Sequence, residues 1–153
     1  MGGNPFANSF RDLIVYQKAR EVAKKVFVIT QSFPSEEKYF LTDQWRRSSR
    51  SVGAQIAEAW AKRRYPNHFI TKLTDSDGEQ NETRHWVETA TDCGYLSSAS
   101  AQELNNDLQA IGRMLQSMMN RANDFKGVEY SRVKEPSANY GSINEFFAIK
   151  TEN

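Results

Sequence analysis

Cysteine is nearly absent from this chain: Cys93 is the only one among 153 residues, so no internal disulfide can form. That is compatible with a reducing cytosol. Histidine is almost as scarce, with His68 and His85 alone. His85 completes one Glu-x-x-His unit, Glu82-Thr83-Arg84-His85, of the kind that di-iron bundles use twice. His68 has no glutamate three residues before it, so the second copy is missing and no metal ligand is assigned. There is no phosphate-cradling glycine loop and no nucleophile elbow. No general base stands beside Cys93, which is expected to be a small buried hydrophobe near the core stripe of a helix. Long hydrophobic runs are missing too, and all fall far below the ~20 residues that span a bilayer. Met1 to Phe10 shows no basic start followed by an apolar core, so no signal peptide is expected. Phe6 stands where a myristoylation signal after Gly2 needs Ser or Thr. The expectation is a soluble cytoplasmic protein, not an enzyme, with no cofactor.

What is present is helical periodicity. Val15, Ala19, Val22, Val26, Ile29 and Phe33 recur at three- and four-residue spacing. So do Leu41, Trp45, Ser48, Val52, Ile56 and Ala59, less regularly. A third ladder is Phe69, Leu73, Ser76, Gln80, Thr83, Val87 and Ala90; a fourth is Leu104, Leu108, Ile111, Leu115, Met118 and Ala122. Such spacing places each set on one stripe of an α-helix. Four such helices with short connections predict an all-α, antiparallel up-down-up-down four-helix bundle. A chain of this length suits one domain and buries roughly two thirds of its unfolded surface.

Local signals place the boundaries. Ser9 is a candidate N-cap with Asp12 three residues on, and the first helix is expected over 10–31. Pro34 ends it, and residues 36–40 form a turn or a short first helical turn. Thr42 caps a second helix over 43–64, and Tyr65-Pro66-Asn67 breaks the chain again. The third helix is expected over 67–96, with a kink or a partly opened turn at Asp75-Ser76-Asp77-Gly78, a patch of weak helix formers. Ser97, Ser98 or Ser100 caps the fourth, which runs to about Asp124 before Lys126-Gly127 stops it. Residues 1–8 are expected to be disordered and 127–153 to be a C-terminal extension. Its Phe146, Phe147 and Ile149 form an aromatic and apolar patch at helical spacing. That patch belongs either to a loose terminus or to an element that docks on a neighbouring subunit or partner.

Charge is near neutral overall but segregated. Residues 1–72 hold 13 lysines and arginines against 6 acids; residues 73–153 hold 7 against 13. The first hairpin is basic and the second acidic. The asymmetry can steer a polyanion, join subunits, or bind the two halves of one monomer together. Arg46 and Arg50 lie four apart, and Lys62, Arg63 and Arg64 follow beside Tyr65. Arginine forks suit phosphates, and nearby aromatics can stack on bases. These five are the candidate nucleic-acid contacts. The alternative is a solvated basic face with favourable cations at a helix end. Gln44, Arg47, Ser51, Gln55 and Glu58 form a second row nearer the core. With Glu82 and Thr83 they are expected to make a polar layer that fixes helix register.

The segment Gln44 to Ala59 resembles the 23S rRNA intervening-sequence protein family, a group of small bacterial helical bundles. The family's second-helix pattern is matched at Gln44, Arg46, Arg47, Ser51, Ile56, Ala57 and Glu58. It is departed from at Gln55 and Ala59, where the family has Asn and Gly. Phe10-Arg11-Asp12-Leu13 with Tyr16-Gln17-Lys18-Ala19 is similar to its opening phrase. Phe33-Pro34, Glu37 and Leu41 are similar to its first turn, and Glu82-Thr83 and Gly94-Tyr95-Leu96 to its third helix. In that helix Ser76, Asp77 and Gln80 stand where the family has Gly-Ser and an extra Glu. The resemblance covers about residues 9–123. The accessory variability determinant of diversity-generating retroelements is a related protein. The resemblance implies a head-to-tail ring, commonly a pentamer, without catalytic activity. In the retroelement branch it implies association with nucleic acid and with a reverse transcriptase. The expected function is a non-enzymatic oligomeric scaffold that holds RNA, DNA or a nucleic-acid enzyme on its basic face. The alternative is a protein–protein assembly module with no nucleic-acid role.

Overall fold

The computed structural model describes residues 9–127 and 144–147. The expected disordered segment 1–8 and Ile149 lie outside the described residues. Four long helices make the bundle: α1 (Ile14–Thr30), α2 (Asp43–Ala61), α3 (Pro66–Asp92) and α4 (Ser98–Asn120). A short α5 (Ala122–Phe125) follows. Each long helix packs on the next, and α4 closes back on α1. No strand is present among the described residues; Leu13 and Phe147 form one isolated antiparallel bridge.

The ladders bury as their spacing requires. Val15, Ala19, Val22 and Val26 from α1 meet Trp45, Val52, Ile56 and Ala59 from α2 in one core. Phe69, Leu73, Val87 and Ala90 of α3 and Leu104, Leu108, Ile111, Leu115 and Met118 of α4 complete it. Each fully buried large side chain contributes about 1.5–3 kcal/mol.

Chain breaks follow local chemistry. Ser9 and Asp12 form a capping box, but it caps a 3₁₀ turn, Phe10–Asp12, and not α1. Leu13 is extended, so the first helix starts at Ile14 and not at Phe10. Thr42 does not cap α2, because a π-helical turn over Lys38–Thr42 runs straight into it. Pro66 opens α3, where its missing N–H costs nothing. Gly94, at φ +75°, ends that helix: Tyr95 N–H reaches Ala90 O and Gly94 N–H reaches Thr91 O. Cys93 therefore sits at the helix end, past the core stripe, and is exposed rather than buried. Ser97 caps α4 by accepting from the Ser100 N–H at 3.2 Å.

The expected kink at Asp75–Gly78 does not occur; α3 is helical throughout. One tertiary and one local hydrogen bond hold the weak patch. Buried Ser76 donates to the Val52 carbonyl at 2.8 Å, and Gln80 Nε2 donates to Asp77 at 3.1 Å.

A polar layer does join α2 to α3, with a different membership from the expected one. Thr83 Oγ1 lies 3.0 Å from Ser48 Oγ in the buried interface, beside Ser76 and Gln80. Arg47 donates to Glu79 at 3.2 Å and to Glu82. Of the other expected members, Gln55 accepts from Lys72 at 3.5 Å, and exposed Glu58 pairs with Lys72 at 3.1 Å. Gln44 is exposed and Ser51 half-buried, and neither makes a side-chain hydrogen bond among the described residues.

Candidate nucleic-acid interface

The basic hairpin is sorted into two kinds of cation. One kind turns inward to the acidic hairpin. Lys25 of α1 pairs with Glu103 and Asp107 of α4, each at 2.8 Å. Arg47 of α2 pairs with Glu79 and Glu82 of α3. Hydrogen bonds to Asp107 and then Glu103 hold the Lys25 ammonium above the usual lysine range, against the opposing pull of burial. Glu79 does the same for Arg47, reinforced by Glu82. Attraction between the halves of one monomer is thus part of the charge segregation.

The other kind faces outward over the α1/α2 seam. Arg46 Nε donates to Thr30 Oγ1 at 2.7 Å, and its guanidinium lies 4.8 Å from the Phe27 ring centre. The Arg50 guanidinium lies 5.8 Å from the same ring. Phe27 is 38% exposed, unusual for a phenylalanine beside a well-filled core. A shallow groove continues along the seam. Its floor is Ala19, Ala23, Gly53, Ala54 and Ala57, and its rim carries Arg20, Lys24 and Arg50. Small residues at the floor keep the helices close and leave the cations standing proud. Among the described residues, none of Arg20, Lys24, Arg46 and Arg50 is in an ion pair. A guanidinium stacked on an aromatic face, unpaired with any acid among the described residues, is a suitable arrangement for phosphate and base.

The five cations picked from the sequence do not form one patch. Lys62, Arg63 and Arg64 lie at the far end of α2, about 18 Å along the axis from Arg50. Arg63 is folded back: it donates to the Trp60 carbonyl at 2.8 Å and stacks 4.1 Å from that indole. Lys62 and Arg64 are exposed. Sequence reading missed Arg20, Lys24 and Phe27. For Arg20 and Lys24 the signal was a polar stripe, Gln17, Arg20 and Lys24, at three- and four-residue spacing beside the apolar ladder of α1.

Phe146 and Phe147 are seated on their own bundle, where the sequence offered a loose terminus or docking on a neighbouring subunit or partner. Both are buried, against Phe125 and Trp60. Glu145 accepts from Arg121 at 2.7 Å and tethers the segment. The bundle's own end carries enough aromatic surface to take them. Among the described residues, no helix is long and apolar enough to cross a membrane, and no three His, Cys, Asp or Glu cluster to hold a metal ion.

Comparison with known proteins agrees with this architecture. A solved structure from Bacteroides thetaiotaomicron, a protein of unknown function from the S23 ribosomal protein family, superposes with a TM-score of 0.61. It is 28% identical, and the match covers 69% of this chain and 98% of that one. No curated protein matches. The family model described as 23S rRNA-intervening sequence protein matches residues 11–117, and the chain belongs to that family.

Proposed function

We propose that this protein is a non-enzymatic oligomeric adaptor of the cytoplasm. It holds RNA or DNA, or a nucleic-acid enzyme such as a reverse transcriptase, on the α1/α2 face. One observation carries the reading: Arg46 and Arg50 converge on the partly exposed Phe27 ring, and neither is in an ion pair among the described residues. Phosphates bind to the four outward cations, and a base or a partner's side chain stacks at Phe27. Lys62 and Arg64 add a second, separate contact for a longer strand. Both family names refer to the ribosome or its RNA, which makes RNA the first ligand to test.

The test is charge reversal. Arg46→Glu with Arg50→Glu is expected to abolish binding of a single-stranded RNA or DNA oligonucleotide at low salt. The helical circular dichroism should stay unchanged. Unchanged affinity for both nucleic acids would remove the reading.

A second reading has its own support in the groove floor. Ala19, Ala23, Gly53, Ala54 and Ala57 make an apolar, close-approach surface that suits a helix of another copy. In that reading the chain is a protein–protein assembly module, and copies close a ring through this seam. The family resemblance implies a pentamer. Solution mass separates the two: apolar ring closure survives high salt, whereas phosphate binding weakens steeply with it.

A further inference from the structure

The end of the bundle that carries Phe125 is built from parts distant in sequence, and a short segment sits on it. Arg121 Nη1 donates to Glu145 at 2.7 Å across 24 residues of chain. The Phe146 ring lies 5.2 Å from Phe125, edge-on. Phe147 lies 6.2 Å from Phe125 and 6.3 Å, edge-on, from Trp60. Leu13, held extended between the 3₁₀ turn and α1, bridges Phe147 in antiparallel fashion. Three kinds of contact therefore read three consecutive residues: a charge for Glu145, an aromatic wall for Phe146, and a backbone edge with an indole for Phe147.

Arg121, Phe125 and the segment all lie beyond the family match, which ends at residue 117. Glu145 and Phe146 also border a groove that runs along α4, lined by Ala110, Arg113, Met114 and Ser117. The surface is longer than the three residues that occupy it, and Arg113 extends its positive character.

We propose that this end of the bundle is a peptide socket. It recognises an acidic residue followed by two aromatics, and Glu145-Phe146-Phe147 is its resident ligand. The segment binds as a 3₁₀ turn over Asn144–Phe146, pinned by the single backbone bridge at Phe147, with side-chain contacts giving specificity. A partner segment of the same acidic–aromatic–aromatic chemistry enters by displacing the resident one. Covalent attachment favours the resident, so a partner needs high local concentration or extra contacts along α4.

The test uses the full-length chain with Phe146→Ser and Phe147→Ser, and a fluorescent peptide of the sequence of residues 142–149. Saturable binding is expected, at least roughly tenfold tighter than to the unaltered chain, where the resident segment competes. An Arg121→Glu substitution in the same background should prefer a peptide in which arginine replaces the glutamate. A variant that keeps its helical spectrum and cooperative melting yet binds neither peptide overturns the proposal. If the variant does not fold, the unaltered chain decides. Excess peptide must then speed amide hydrogen exchange over residues 144–147, and unchanged exchange overturns the proposal equally.

Discussion

Arg46 is fixed by Thr30. Its Nε donates to the threonine hydroxyl oxygen at 2.7 Å, and that hydroxyl donates in turn to the Val26 carbonyl at 2.8 Å. The relay runs from the α1 backbone to a guanidinium poised over Phe27. Thr30→Val removes the relay and keeps every cation. RNA affinity is expected to fall several-fold while the salt dependence keeps its slope, because the number of phosphate contacts is set by charge. Stability should fall by about 0.5–1.5 kcal/mol, the worth of a typical hydrogen bond. An unchanged affinity would show that Arg46 needs no positioning.

The buried Ser48–Thr83 contact makes a second prediction. Thr83→Val leaves the Ser48 hydroxyl with fewer partners in a dry interface, at a cost of about 1–3 kcal/mol. Adding Ser48→Ala should cost less than the sum of the two single changes, because the hydroxyls act as one unit. Urea denaturation of the four chains measures the coupling. Strict additivity would mean that the pair does not interact.

Two glycines in helices should respond oppositely to alanine. At Gly78 a Cβ meets nothing within 4 Å, so Gly78→Ala should stabilise by about 0.5–1 kcal/mol through helix propensity. At Gly112 a Cβ would stand 3.0 Å from the buried Gln80 amide nitrogen and 3.6 Å from Asp77 Oδ1. Gln80 is held by Asp77 and has little room to yield. Gly112→Ala should therefore destabilise by about 1 kcal/mol despite its propensity gain. Thermal melts of both variants check the signs.

The Lys25 pair fixes a pH dependence. Asp107 and Glu103 raise the folded-state value of this lysine above its unfolded one. Its stabilisation is therefore fully present below the unfolded lysine value of about 10.4 and is lost as pH climbs through the folded one. Lys25 is 39% exposed, so the pair is worth at most about 1 kcal/mol. The stability gap between the native chain and Lys25→Met should stay constant from about pH 8 to about pH 10 and shrink above that. A gap that widens in alkali would contradict the assignment.

The four ladders were legible because burial follows spacing in a bundle, and Val26, Ile56, Leu73 and Leu108 are all fully covered. Polar letters at ladder positions announced the polar layer: Thr83 was named as a member, while Ser48, Ser76 and Gln80 were passed over for a row beside them. Leu13 was unreadable from its neighbours, since its extended backbone pairs with Phe147, far along the chain. The run-on from the π turn into α2 was hidden for a related reason. Thr42 reads as a cap, but it is buried in a continuous helical path. The unbroken α3 at Asp75–Gly78 shows a tertiary bond overriding propensity. At the site, Arg46 and Arg50 were legible as a pair. Their convergence on Phe27 was not, because it depends on how α1 lies against α2.

Binding of a nucleic acid by the outward cations of the α1/α2 face is open to direct measurement. The most direct measurement is the affinity of the native chain for a single-stranded RNA oligonucleotide across a range of salt concentrations. Engagement of Arg20, Lys24, Arg46 and Arg50 predicts a slope of about −3 in log affinity against log salt for a single strand. Arg46→Glu with Arg50→Glu should flatten that slope. Absence of binding at low salt, or binding indifferent to salt, would contradict nucleic-acid binding at this face and leave the seam to a second copy of the chain.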